Sequence, residues 1–462
     1  LSVATEAKND AQHDTAARAP SETGMFSAIG NPSGFRWMYV VDVIMLFAAM
    51  MLISFVRWGR TWPSYSLSEY LLGFVIVTIV HVVVAYFGGL YEIDSRLGAT
   101  SRLPRAASLT GIAILIDASL SMGSSKFLMP RLNLVVFAVV AASTLAFNRW
   151  LAHRVMTARF GRPKVLLVGN PDDIELAEAH LVETDRDAIV VGRRSSTEDL
   201  ALAVNLVSAS DVLLLGGIEL SEVYPKPLGD FESQRVGIYH RLRPSDTLLG
   251  VKKTIQIAGM PFVALRTHAM APSKARFKRI LDLSYLLAAS PLILVVLGIT
   301  LLYARTVGGH PVLYRQERVG RYGKTFSMVK IRTMYEGAED ATGAVLAASD
   351  DARVIPAMAW MRKMRFDELP QIWNVIRGDM SLVGPRPERQ ELAEHFEMVN
   401  PGYGRRHDIR PGITGLAQVN GSYHTDPGFK LGHDLQYLVN WSPVLDIQIL
   451  FRTIYVVLAR RL

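Results

Sequence analysis

Two long apolar runs near the start of the chain, Met38 to Val56 and Leu71 to Phe87, constrain the fold more than any other feature of the sequence. Each is close to the roughly 20 residues a helix needs to cross a bilayer. Their polar interruptions are few: Asp42 and Ser54 in the first, His81 in the second. Ala106 to Met122 and Leu132 to Phe147 repeat the pattern between basic or turn-forming boundaries, so four spans are expected across residues 35–150. Half of the residues are hydrophobic and only 20% are charged, which excludes a coiled coil or a disordered chain as a description of the whole. Residues 1–34 lack an apolar run and read as a disordered cytoplasmic tail rather than a signal peptide.

Lys and Arg near the span ends set the expected orientation. Arg36, Arg96, Arg102, Arg105, Arg149, Arg154, Arg159, Arg162 and Lys164 fall on one side, against Arg57, Arg60, Lys126 and Arg131 on the other, and the richer side is cytoplasmic by the positive-inside rule. Beyond Pro163 short apolar strands alternate with helical stretches. Lys164–Gly169, Ile189–Arg193, Asp211–Gly216 and Arg235–His240 read as parallel strands of a small doubly wound domain over residues 163–265. Its first turn, Gly169-Asn170-Pro171, holds one glycine where a dinucleotide fingerprint needs three. An assembly or regulatory role is therefore preferred for it over nucleotide binding, and it offers a surface for a homodimer.

A fifth apolar segment, Ile280 to Leu302, is basic at both ends. A straight crossing would put those flanks on opposite sides of the membrane, against the positive-inside rule. Pro291, preceded by Ser290, removes a helical hydrogen bond near its middle. A helix over residues 279–303 that enters the inner leaflet, bends at Ser290-Pro291 and leaves on the same side meets both constraints. The stretch Val444–Leu458 is expected either to lie at the same interface or to pack on the domain core.

The C-terminal region carries the polar chemistry. Cations and glycines interleave from Tyr314 to Lys324 and again in Lys330-Ile331-Arg332-Thr333-Met334, a pattern suited to phosphate oxygens, with Arg318 and Arg332 as phosphate-binding candidates. Arg365-Phe366-Asp367-Glu368-Leu369-Pro370-Gln371 places two carboxylates beside a cation and ahead of a helix. Taken alone, Asp367 reads as the N-cap of that helix. Rigid turns then present Arg386 between Pro385 and Pro387, and Arg410 before Pro411-Gly412. The chain has no Cys, which removes a thiol nucleophile, disulfides and Cys-ligated metals from consideration.

Lys278-Arg279-Ile280-Leu281-Asp282, Ser290-Pro291, Lys330 to Met334, Asp367-Glu368-Leu369-Pro370-Gln371, Gly384-Pro385-Arg386-Pro387 and Pro411 to Gly415 occur in the order found in bacterial polyprenyl-phosphate sugar-phosphate transferases. Over about residues 275–462 the chain resembles that family, and as a whole it resembles the large members that prime exopolysaccharide, capsule or O-antigen synthesis. The resemblance implies transfer of a hexose-1-phosphate, glucose or galactose, from a UDP-hexose to undecaprenyl phosphate with release of UMP. It implies Asp367 as the nucleophile, Asp367 and Glu368 at a Mg²⁺ site, and Arg365 and Arg386 on the phosphoryl oxygens. It also implies supporting roles for Arg279, Asp282, Ser290, Pro291, Pro385, Pro387 and Asp446.

The expected fold class is thus a multi-pass membrane protein: an α-helical transmembrane bundle, a degenerate Rossmann-like α/β domain, and a mainly helical α/β catalytic domain over residues 270–462, embedded in the membrane by a re-entrant helix. Its expected place is the bacterial inner membrane, with the catalytic domain facing the cytoplasm and membrane lipid around it. The net charge of +8 concentrates on span flanks and around the carboxylate pair, so nucleic acid is not an expected partner. Two other readings use the same features: a membrane glycosyltransferase that releases UDP, and a non-catalytic scaffold for polysaccharide export.

Overall fold

A computed structural model of the chain describes residues 38–60, 66–91, 97, 102–123, 131–184, 188–234, 236–247, 254–265, 270–337, 352–421 and 426–458. The polar tail at 1–34 and the flanking Arg36, Arg96 and Lys126 lie outside them. Four antiparallel helices form the first unit: α1 (Met38–Trp58), α2 (Leu67–Phe87), α3 (Arg102–Gly123) and α4 (Arg131–Phe160). Their seam is apolar, with Leu46, Met50, Phe74, Val77, Phe137 and Ala141 buried, while Leu52, Val56, Leu72, Leu115 and Val139 face outward. An apolar exterior of this kind is unfavourable in water and is solvated by lipid. All four helices, and a fifth described below, are long and apolar enough to span a membrane; this is a membrane protein.

Asp42, which interrupts the first apolar run, is fully buried. It accepts hydrogen bonds from Arg149 Nη2 at 2.6 Å, Asn148 Nδ2 at 2.7 Å and the Tyr91 hydroxyl at 2.8 Å. A lone carboxylate in this setting would cost several kcal/mol, and the cluster offsets that cost while locking the start of α1 to the end of α4. It also explains why α4 runs well past Phe147, where its apolar run ends: Asn148 and Arg149 stay helical to reach Asp42.

The second unit is a six-stranded sheet: β1 (Lys164–Val168), β2 (Ile189–Arg194), β3 (Asp211–Leu214), β4 (Gly237–Arg241), β5 (Ile255–Ile257) and β6 (Met260–Leu265), in the order β2-β1-β3-β4-β6-β5. The first four are parallel; β5 and β6 add an antiparallel edge. The near-continuous burial of β1 and β3 is what a central strand covered on both faces requires. At the carboxyl ends of β1 and β3, Asn170 and Asp173 fill the space against Gly217 and Gly216, and Arg241 Nη1 holds Asp173 at 2.6 Å. Side chains of this chain therefore occupy the crevice where a doubly wound sheet usually takes a ligand.

The third unit begins with α5 (Pro272–Val307), a 36-residue helix with Pro291 inside it. Pro291 has no N–H for the carbonyl of Leu287, and the Ser290 hydroxyl donates to that carbonyl instead, at 2.7 Å. Both halves of α5 pack on the same domain. Near its start Asp282 meets Ser381, and Leu286 joins Met328, Val375 and Met380; near its end Ala304 joins Ile331, Met358 and Met361. Between them Leu287, Leu292, Leu294, Val295 and Ile299 are exposed. Phe277 and Phe87 bring the start of α5 against the end of α2, the end of the bundle that holds Asp42 and Arg149.

Around α5 are the hairpin β7 (Leu313–Val319) and β8 (Thr325–Ile331), the short helix α6 (Ile372–Arg377), the parallel pair β9 (Ser381–Val383) and β10 (Gly412–Thr414), and the helices α7 (Pro427–Asn440) and α8 (Pro443–Leu458). Helix α8 packs on the domain core through one face. Asp446, Ile449 and Val456 are buried on one face, while Val444, Phe451, Ile454, Tyr455 and Leu458 form an exposed apolar stripe on the other.

Candidate active site

The carboxylate pair owes its placement to a chain reversal. Arg365 adopts a left-handed backbone, φ +59°, after a short helix, and the following turn Phe366–Gln371 is 3₁₀, leading into α6. The cap position of α6 is Gln371, with no side-chain cap bond, so the N-cap expected of Asp367 is not formed. The reversal buries Glu368 and sets Asp367 beside it, part-exposed.

Three cations converge on Glu368. Arg386 Nη2 lies 3.0 Å, Lys330 Nζ 3.2 Å and Arg365 Nη1 3.3 Å from its Oε1. Burial alone would push this carboxyl up, but Arg386, Lys330 and Arg365 override it and hold Glu368 well below the usual carboxylate range. Asp367 has the opposite balance: burial, then the charge of Glu368, pushes it up to about 6 against Lys330, Arg362 and Arg365. Lys330 is itself lowered by burial and sustained chiefly by Glu368.

Hairpin register brings the other cations in. Arg318 pairs with Phe326 and Tyr314 with Lys330, so Arg318, Met328 and Lys330 share one face by the two-residue period of a strand. Together with Glu368, Gln371 and Arg386 they line a small cleft. The rigid turn behind it depends on backbone contact between β9 and β10: a Cβ on Gly412 would sit 2.1 Å from the amide nitrogen of Gly384. Gly412 N–H donates to the Pro385 carbonyl at 2.9 Å, and Arg318 Nη1 donates to that of Pro387 at 3.3 Å. The two prolines thus shape the turn that carries Arg386.

Other predicted residues sit outside the cleft. Arg332 follows the last residue of β8 and turns away, donating to the carbonyls of Gly308, Pro311 and His310 at 2.7 to 2.8 Å. It ties the end of α5 to the hairpin, and the expected phosphate contact is not its position here. Arg279 donates to the carbonyls of Val375 and Ile376, closing the C-terminus of α6 just behind the carboxylates. Asp282 and Asp446 flank the buried Lys278, with Asp446 2.8 Å from its Nζ and bonded by Tyr437 and Trp441. This network fastens α5 to α7 and α8. Ser290 and Pro291 are confined to the middle of α5.

The sequence model of the bacterial sugar transferase family matches residues 273–460, the unit that contains this cleft. The exopolysaccharide production protein ExoY of Rhizobium meliloti (strain 1021) is 33% identical over 223 residues, which cover 44% of this chain and 96% of that protein. The chain belongs to the bacterial sugar transferase family. The UDP-N-acetylgalactosamine-undecaprenyl-phosphate N-acetylgalactosaminephosphotransferase of Aeromonas hydrophila is 36% identical over 226 residues, 48% of this chain and 52% of that protein. The chain thus spans about half the length of that relative. The galactosyl transferase CpsE of Streptococcus agalactiae serotype III (strain NEM316) is 26% identical over 458 residues, 91% of this chain and 98% of that protein.

In this sugar transferase family member, Lys330 is the cleft residue that the motifs did not single out. Lys330 lies two residues before Arg332 in the same motif, and what separates them is the end of β8 at Ile331. Alternation along the strand is a signal for Lys330, because it places the lysine on the face of Arg318.

Proposed function

We propose that the protein transfers hexose-1-phosphate from a UDP-hexose to undecaprenyl phosphate, releasing UMP, as the initiating step of a bacterial exopolysaccharide, capsule or O-antigen. The observation that carries this is a cleft lined by Glu368, Arg386, Lys330 and Arg318, in which three cations meet the Glu368 carboxylate and Asp367 precedes it in the same turn. An Asp367 oxygen attacks the sugar-bearing phosphorus of the donor, the bridging P–O bond breaks, and UMP departs. A phosphate oxygen of the lipid then attacks the same phosphorus, releasing the Asp367 carboxylate and leaving the lipid diphosphate sugar. Atoms and charge balance with no oxidant or general base. Arg365, Arg386, Lys330 and Arg318 face the charge on the transferring phosphoryl group, a positional and electrostatic task.

The donor set suits a magnesium ion. Among the described residues all three cations reach Oε1 of Glu368, which leaves Oε2, with Asp367, as hard oxygen ligands for a divalent cation. Bound there, the ion would screen the repulsion between carboxylate and diphosphate. The α5 helix is read as re-entrant, with the catalytic unit on the cytoplasmic face of the inner membrane. Support for this comes from the packing of both its halves on one domain and from the basic flanks at each end. The acceptor phosphate then lies at the headgroup plane, at the level of the cleft, and the lipid tail need not leave the bilayer.

The full chain, incubated with undecaprenyl phosphate and UDP-glucose, UDP-galactose or UDP-N-acetylgalactosamine in turn, should release UMP with one donor preferred. Release of UDP would overturn the phosphotransfer reading in favour of a glycosyltransferase. Since the chain has no native Cys, single cysteines at Gly309 should label only from the cytoplasmic side; periplasmic labelling would mean a straight span.

A further inference from the structure

The Arg386 side of the cleft is fixed from behind by a residue that lines none of it. Arg406 is 1% exposed, a costly place for a guanidinium unless every donor is used. Its Nε and Nη2 lie 2.9 and 2.7 Å from Asp434 Oδ2, and its Nη1 donates to the Tyr403 hydroxyl at 2.6 Å and lies 3.5 Å from Glu388 Oε1. Nη2 also donates to the backbone carbonyl of Arg386 at 3.1 Å. The guanidinium stacks 4.7 Å from the Tyr403 ring centroid. A planar fork held on its acid, hydroxyl and ring contacts has little freedom, so the carbonyl it grips has little freedom either. It thus grips the turn Arg386-Pro387-Glu388 at both ends, at the carbonyl of Arg386 and the carboxylate of Glu388, and that turn delivers Arg386 Nη2 to Glu368 at 3.0 Å.

We propose that Arg406 is a positioning residue, holding Arg386 in the place from which it binds a phosphoryl group of the substrate. This rests on the reading of the cleft as a phosphate site. Arg406 touches no substrate; it acts only through Arg386, and the two residues should behave as one unit.

The test is a double-mutant cycle read by calorimetric binding of inorganic pyrophosphate to the full chain in nanodiscs at fixed magnesium. Arg386→Ala should weaken binding about tenfold, the scale of one lost charge-assisted hydrogen bond. Arg406→Gln should weaken it by a similar factor alone, and by less than about twofold when Arg386 is already Ala, because coupled residues are not additive. Tyr403→Phe removes one partner of Arg406 and keeps the ring, and should give the same pattern at about threefold; it carries the test where the unpaired Asp434 prevents Arg406→Gln from folding. Equal losses in both backgrounds, or unaltered binding in folded Arg406→Gln, would overturn the positioning role. Unaltered binding in Arg386→Ala would overturn the phosphate reading of the cleft, and this inference with it.

Discussion

Two adjacent carboxylates of nearly equal intrinsic acidity are driven apart by where their oxygens point. Glu368 meets three cations and stays charged; Asp367 is raised to about 6. In the metal-free protein the Asp367 carboxyl should therefore lose its proton as pH rises through about 6, read as a carboxyl band in infrared difference spectra that Asp367→Asn lacks. A band already lost at pH 4 would sink the raised assignment. Asp367→Asn should lower turnover by about a thousandfold or more, as loss of a nucleophile does. The same substitution should not lower the melting temperature at pH 7. A carboxyl whose folded pKa is raised stabilises the fold while protonated, below its unfolded value, and that contribution is lost as pH rises through 6, so a neutral amide removes a penalty. Lys278 shows the reverse. Lys278→Met strands Asp282 and Asp446 in the core and should cost about 3 to 5 kcal/mol, measured by thermal or denaturant unfolding.

Single elements carry consequences that no residue has alone. In α5 the proline opens the ladder at the Leu287 carbonyl and the preceding serine closes it again, which makes Ser290-Pro291 one device. Ser290→Ala leaves that carbonyl without its donor and should cost about 1 kcal/mol of stability. Pro291→Ala restores an N–H there and favours a straight helix, which would pull Ala304 from Met358 and Met361. On the proposed re-entrant reading the expected outcome is strong loss of transfer together with periplasmic labelling at Gly309, and full activity with unchanged labelling would argue against a functional bend at Pro291. The hairpin is a second such element: its two-residue period puts Arg318 and Lys330 over the cleft, and the end of β8 sends Arg332 elsewhere.

At the level of the whole molecule the α/β unit meets the catalytic unit near Tyr224. The Tyr224 hydroxyl approaches the Gly402 carbonyl at 3.4 Å, and Gly402 has φ +90°. A Cβ there would stand 2.6 Å from that hydroxyl. Gly402→Ala should therefore destabilise the segment that carries Arg406 by about 1 kcal/mol or more, read as earlier hydrogen exchange in residues 403–408. Much of the architecture was legible from patterning alone. Apolar runs, basic flanks and strand periodicity marked the four helices of the bundle, the parallel strands and the interrupted fifth segment, because burial in lipid or in a sheet imposes periods on the chain. Six ordered motifs also marked the carboxylate pair and the Arg386 turn. What these patterns did not hold was which cation meets which carboxylate. Arg332 and Asp367 had local expectations, a phosphate contact and a helix N-cap, and packing placed them otherwise: Arg332 on the carbonyls of Gly308, His310 and Pro311, and Asp367 part-exposed in a 3₁₀ turn beside Glu368. Periodicity is a property of a segment, whereas the charge balance of the carboxylate pair depends on Lys330, Arg365 and Arg386 arriving together, and only the packed chain brings them to one place.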